Sequence, residues 1–203
     1  MADIPELPSE MSALIEMGAE RRSLEYKRSM NWRTPETKAK IVRTALAMSN
    51  LAGGGDIVLG VENDPFDPVG LNEEDFDSFS HDDLADELAN YAIPPIEVSV
   101  RKGTALKGRR FVIVSVAPFR EVPTVCARGG GPNGERLYAG KVYIRPEGKP
   151  ETREVESGYE MQELIERATD LGIAKLRKRY PEIVEVAAVR DDAALEDELG
   201  DFA

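Results

Sequence analysis

Cysteine and histidine are nearly missing from this chain: its 203 residues hold one of each, Cys126 and His81. A single cysteine excludes an internal disulfide, and the two together exclude a zinc finger or a Cys/His metal cluster. One histidine leaves little room for a histidine-based catalytic triad. No apolar run approaches the length of a membrane span, so no membrane partner is expected. The start, Met1-Ala-Asp-Ile-Pro-Glu-Leu, has neither a basic n-region nor an apolar h-region. It does not read as a signal peptide, and a cytoplasmic location is the expectation. Lysine and arginine are missing from Glu62 to Glu97, which makes that stretch a negative surface.

What is present describes one substantial core: 41% hydrophobic and 32% charged residues. The net charge of −12 argues at first against a nucleic-acid binder. The distribution of that charge argues the other way. Between Pro181 and Ala203 eight acids face only Arg190, a net of −7 that leaves −5 for the rest. Basic residues cluster at Arg21 to Arg43, at Arg101 to Arg110 and at Lys175 to Arg179.

Along the chain, Ser9 can cap a short helix with Met11, Leu14 and Ile15 on one side and Gly18 after it. Ser23 to Arg28 alternates as a half-buried strand, Leu24 and Tyr26 on one face and Glu25 and Lys27 on the other. Thr34-Pro35 opens a helix whose apolar stripe runs through Ile41, Val42, Ala45 and Leu46 to Ser49-Asn-Leu-Ala-Gly-Gly-Gly55. Ile57 to Val61, apolar without alternation, reads as a central strand buried on both faces. Asn72 and Ser80 can cap further helices. Glu97 to Lys102 and Arg109 to Val116 read as a hairpin joined by Gly103 to Gly108. A flexible loop at 129–134, a strand from Lys141 to Arg145 and a long helix from about Ser157 complete the body. The expected fold is α+β, a mixed and mostly antiparallel sheet packed with helices. Residues 1–18 form an N-terminal helix, 19–180 the domain and 181–203 an acidic tail.

Chemistry concentrates in the first third. Glu20 and Glu25 precede the glycine corner, and Glu62 and Asp64 follow it across the strand. Folded together, such carboxylates suit a hard divalent cation at a phosphodiester site. On one continuous strand Glu20 and Glu25 would face opposite ways, so they converge only if Glu20 lies in the turn before the strand. Two solvated glutamates are the plain alternative. Lys27 is either a phosphate contact or the ion-pair partner of Glu25. The glycine corner closes a helix instead of opening one, so it is a helix stop and no phosphate cradle. Arg101, Lys102, Lys107, Arg109 and Arg110 on the hairpin could track a phosphate backbone, or be solvated charges guarding a sheet edge. Trp32 between Arg28 and Arg33 could stack on a base, though a lone Trp is more often a packing residue. His81 reads as part of a helix start and Cys126 as a small buried residue.

The order Glu-(x)4-Glu-aromatic-Lys, helix, Asn-x-x-Gly-Gly, hydrophobic strand and Gly-Val-acidic resembles the Schlafen AlbA_2 domain family. Val142-Tyr-Ile-Arg-Pro146 resembles the strand that closes those domains, and the likeness runs from Ala19 to Arg167. The resemblance implies nucleic-acid binding (DNA or RNA), with Lys27, Arg28 and the hairpin basics on phosphates. It also implies a metal-dependent endonuclease in which Glu20 and Glu25 with Glu62 or Asp64 are catalytic, and Glu20, Glu25 and Asp64 hold Mg or Mn. The family's third acid would fall on Asn63, which offers a carbonyl but no charge and no base. That departure leaves a rival: a non-catalytic dimerising module that recruits a partner through its tail. Leu195, Leu199 and Phe202 line one side of that tail. It could be a solubilising end, dock on a partner subunit, or cover the protein's own basic face.

Overall fold

A strand, a helix and a second strand, in that order, make the frame on which the site is built. The computed structural model describes residues 4–63, 65–132 and 134–181; the acidic tail beyond Pro181, and Asp64, lie outside them. Helix α1 (Ser9–Glu16) leads into strand β1 (Leu24–Lys27), helix α2 (Pro35–Ser49) and strand β2 (Gly55–Leu59). The Thr34 side chain accepts the Thr37 N–H and Pro35 fills the first turn, so the start of α2 is fixed locally. Because β1 and β2 are parallel, the chain must cross over between them, and α2 is that crossover.

A two-residue ribbon, β3 (Glu62–Asn63) and β4 (Phe66–Asp67), follows, then helices α3 (Glu73–Ser78) and α4 (His81–Tyr91). Strand β5 (Ala92–Ile93) precedes the hairpin β6 (Val98–Ala105) and β7 (Arg109–Val116), and β8 (Val125–Cys126) returns to pair with β5. A second ribbon, β9 (Tyr143–Ile144) and β10 (Arg153–Glu154), leads to helix α5 (Gly158–Arg179). The main sheet runs β1-β2-β7-β6, with only β1 and β2 parallel. The fold is therefore the expected α+β arrangement with a mostly antiparallel sheet.

The alternation read in the sequence sorts side chains to the two faces of this sheet. Ile57, Leu59, Val112 and Val114 face α2 and α4, where Ile41, Val42, Leu84 and Leu88 complete the larger core. Leu24, Tyr26, Val58, Phe111 and Ile113 face the other way, onto Ile15 of α1 and Leu7. The Tyr26 hydroxyl donates to the Leu14 carbonyl at 2.6 Å and ties α1 to the sheet. A third, smaller cluster joins Phe119 and Ile144 to Leu164 of α5.

Three local expectations change. Pro8, not Ser9, stands at the cap position of α1, and no side chain bonds there; proline's fixed φ brings the chain in instead. The hairpin turn is tighter than Gly103 to Gly108, because β6 continues to Ala105 and Leu106, Lys107 and Gly108 make the turn at positive φ. Gly103 serves another purpose: a Cβ there would sit 2.7 Å from the Pro5 carbonyl, where the N-terminal segment crosses the edge strand. The strand expected from Lys141 to Arg145 is paired only at Tyr143 and Ile144, outside the main sheet.

Candidate functional site

Strand β1 is an edge of the sheet, so half of its backbone groups have no strand to pair with. Glu20 answers this. It lies at the entry to the turn before β1, in which Arg21 and Leu24 exchange backbone hydrogen bonds, and its Oε1 accepts the Tyr26 N–H at 3.2 Å. Placed there, Glu20 meets the condition for converging with Glu25. Both line a cleft of about 460 Å³.

The later acid is brought in by a glycine beyond the helix-closing corner. The Asn50 to Gly55 corner closes α2: a Cβ on Gly54, at φ +69, would meet the Val116 carbonyl at 2.0 Å. Asn50 holds the corner by donating to the Thr124 and Tyr143 carbonyls and accepting the Thr124 N–H. The turn that carries the chain back over β1 is at Gly60, φ +107, whose N–H donates to Lys27 O. A Cβ at Gly60 would press on Phe111 and Gly70, at 2.9 and 3.1 Å. Two residues later Glu62 and Asn63 join Glu20 and Glu25 at the cleft.

Basic groups close around these acids. Glu25 is 7% exposed and points to the α2 side of the sheet, in register with Ile57. Its Oε1 pairs with Lys27, and its Oε2 accepts Arg145 Nη1 at 2.6 Å. Arg145 has no exposed surface and also donates Nη2 to Arg21 O. From α2, Lys40 and Arg43 face the cleft and lie 3.8 and 3.9 Å from the Glu135 carboxylate. Arg28 is exposed at its mouth. Burial, and then the neighbouring Glu25 carboxylate, raise the Glu20 carboxyl above its ordinary value of 4.5.

The remaining sequence-derived candidates lie elsewhere. The hairpin basics are on β6, β7 and their turn, at the opposite edge of the sheet from β1. Lys102 donates to Phe79 O at 3.1 Å and lies over the Phe76 ring, Arg109 donates to Pro68 O, and Arg110 pairs with Glu73. Arg101 and Lys107 are exposed. Trp32 is buried against Phe79, in the packing role and not as a stacking platform. His81 opens α4 behind the Ser80 cap, and Cys126 is buried.

Sequence reasoning did not single out Arg145, Lys40, Arg43 or Glu135. The signal for Arg145 was available: an arginine between an apolar strand and a proline must find a carboxylate if it is buried. Lys40 and Arg43 are three apart on a helix, hence on one face.

A divalent ion is a poor match to these side chains as they stand. Both Glu25 oxygens are taken by cations, and Glu20 Oε1 by a backbone N–H. Among the described residues no group of three or more His, Cys, Asp or Glu side chains is placed to hold a metal.

Known folds resemble this one. The DIP2311 protein from Corynebacterium diphtheriae aligns with 76% of this chain at a TM-score of 0.50 and 16% identity. This chain corresponds to 27% of that protein's length. The N-terminal domain of a RecG-related protein from Nitrosomonas europaea is 23% identical over 74% of this chain and 95% of that domain, with a TM-score of 0.44. No curated protein matches the chain. Among the described residues no helix is long and apolar enough to cross a membrane. Residues 20–152 match the Schlafen AlbA_2 family, so the interval from Glu20 to Thr152 spans Glu20, Glu25 and the arginine that holds Glu25, and the chain belongs to that family.

Proposed function

We propose that the chain is a nucleic-acid-binding protein whose cleft between β1 and α2 takes the phosphate backbone. One observation carries this reading: Lys27, Arg28, Lys40 and Arg43 all line one open cleft of about 460 Å³ in a chain of net charge −12. Glu20, Glu25, Glu62, Glu135 and Glu151 line the same cleft, so what it offers a polyanion is a set of cations to be taken over from carboxylates, with Arg28 exposed at the mouth. Lys40 and Arg43 lie 3.8 and 3.9 Å from the Glu135 carboxylate, where a phosphate oxygen could take its place. Such contacts position a backbone and do not read its sequence. Family membership points the same way. Arg101 and Lys107 would extend the contact surface along the far edge of the sheet.

The test is the salt dependence of binding to single-stranded and duplex oligonucleotides of both sugars. Arg28→Ala and Lys40→Ala should each reduce the slope of log affinity against log salt by about 1, for any base sequence. Arg101→Ala and Lys107→Ala should reduce it less. Binding whose slope ignores both cleft variants would move the site elsewhere.

A second reading, metal-dependent phosphodiester cleavage, is favoured by the crowding of Glu20 against Glu25 beside Glu62. Mg or Mn would supply charge neutralisation there, with Asp64 as a further ligand. Glu25 would first have to leave Lys27 or Arg145, and Asn63 adds no charge. If this reading is right, millimolar Mn²⁺ raises the melting temperature by mass action and Glu25→Gln weakens the rise. An unmoved melting temperature leaves binding without cleavage, the non-catalytic reading.

A further inference from the structure

Helix α5 has one face in the protein and another on which, among the described residues, nothing packs. Leu164, Ala168 and Leu171 pack with Phe119 and Ile144. A second stripe, Ile165, Ile173, Leu176 and Tyr180, recurs at helical spacing and remains 55%, 42%, 59% and 39% exposed. Thr169 lies on the same stripe, and the small Gly172 borders it. From Ile173 onwards α5 is exposed all round, so its last turns project from the body.

The charges along α5 say what fits. Glu163, Glu166 and Asp170 occupy its first part, with Arg167 turned inward to Asn50 O, and Lys175, Arg177, Lys178 and Arg179 its last turns; Glu163 pairs with Arg22 and Lys175 with Glu121 of the same chain. A two-fold interface must be complementary to itself, and this helix is complementary to its own reverse. We infer that the exposed face of α5 is a homodimer seam on which α5 of a second copy docks antiparallel. Setting Ile165 opposite Leu176 of the second copy also sets Thr169 opposite Gly172, where the absence of a side chain permits close approach. Glu166 then flanks Arg177 of the second copy, and the two-fold repeats that pair. A parallel arrangement would instead put acids beside acids and bases beside bases. The overlap from Gln162 to Arg179 is roughly 26 Å of helix, several turns of seam.

The mass in solution decides. Light scattering and sedimentation of the full chain should give twice its 22.4 kDa. Ile165→Glu with Leu176→Glu should give the single-chain mass with an unchanged circular dichroism spectrum, since both side chains are exposed. Glu166→Arg alone, or Arg177→Glu alone, puts like charges together across the two-fold and should weaken the dimer by about tenfold. The double swap should restore it. Removing residues 182–203 should leave the dimer intact, which excludes that segment as the occupant of the stripe. A single-chain mass for the unaltered protein, a dimer that survives the two glutamates, a double swap that fails to restore, or loss of the dimer with the tail would each overturn the proposal. Nucleic-acid binding in the cleft is a separate readout, so failure of one leaves the other standing.

Discussion

At the scale of single residues, the cleft is an acid pair held by its cations, and that predicts two responses of opposite sign. Arg145 is fully buried with Glu25 as its carboxylate partner, so Arg145→Met leaves the Glu25 charge largely buried with Lys27 alone. Breaking a buried pair from one side costs about 3–5 kcal/mol, read as a fall in denaturant midpoint. Adding Glu25→Gln should return much of the loss, and a double mutant as unstable as the single would refute the pairing. Glu20 behaves the other way. Its carboxyl is raised in the folded state, so its contribution is favourable below the unfolded value of 4.5 and is lost as pH rises through the folded value. At neutral pH the carboxylate is therefore a cost. Glu20→Gln keeps an oxygen for the Tyr26 N–H and should melt higher than the unaltered protein at pH 7, the two curves meeting below pH 4.5. Equal melting at pH 7 would mean that Glu20 is an ordinary solvated glutamate. The acids themselves were legible in the sequence, through their spacing and family pattern. The pairing of Arg145 with Glu25 was not, because the two are 120 positions apart and periodicity reports only near neighbours.

At the scale of elements, caps were the clearest signal and glycines the most ambiguous. Thr34, Asn72 and Ser80 each accept the backbone N–H that their positions suggested. A glycine looks the same in sequence whether it turns the chain or lets another strand pass. That is why Gly103 reads as part of a turn, and why Gly60, which aims Glu62 at the cleft, is less conspicuous than the corner at Gly53 to Gly55. The best-defined cap is that of α5, where Ser157 accepts the Glu160 N–H and Glu160 accepts the Ser157 N–H. The Arg153 side chain, then the Glu156 N–H, draw the Glu160 carboxyl down to about 2. A lowered folded value stabilises above the unfolded 4.5 and fades as pH falls from there towards 2. Glu160→Ala should thus cost about 1 kcal/mol at pH 7, measured by denaturant unfolding, and progressively less below pH 4.5. A deficit that stays constant down to pH 2.5 would assign the effect to helix propensity instead of the cap.

At the scale of the whole molecule, charge is divided between a body of net −5 and a tail of net −7, and under the proposed function the tail repels what the cleft is to meet. The segment from Pro181 to Ala203 carries −7 of the −12. Its structure lies outside the described residues, yet its charge acts at a distance whatever its conformation. An acidic segment on the same chain as Lys27, Arg28, Lys40 and Arg43 either competes for them or lowers the local concentration of any nucleic acid. Removing residues 182–203 should therefore tighten nucleic-acid binding, most at low salt. The gain should shrink as the screening length falls from about 30 Å at 0.01 M to 8 Å at 0.15 M. Neutralising Asp191, Asp192, Glu196, Asp197 and Glu198 as amides should reproduce most of the gain, because charge and not length is the cause. Phe202→Ala, which changes no charge, should reproduce none of it. An affinity that is the same with and without the tail at every salt concentration would show that the cleft never senses it. A gain for Phe202→Ala matching the truncation would show that the tail is seated on the cleft by its apolar stripe, and does not act through repulsion alone.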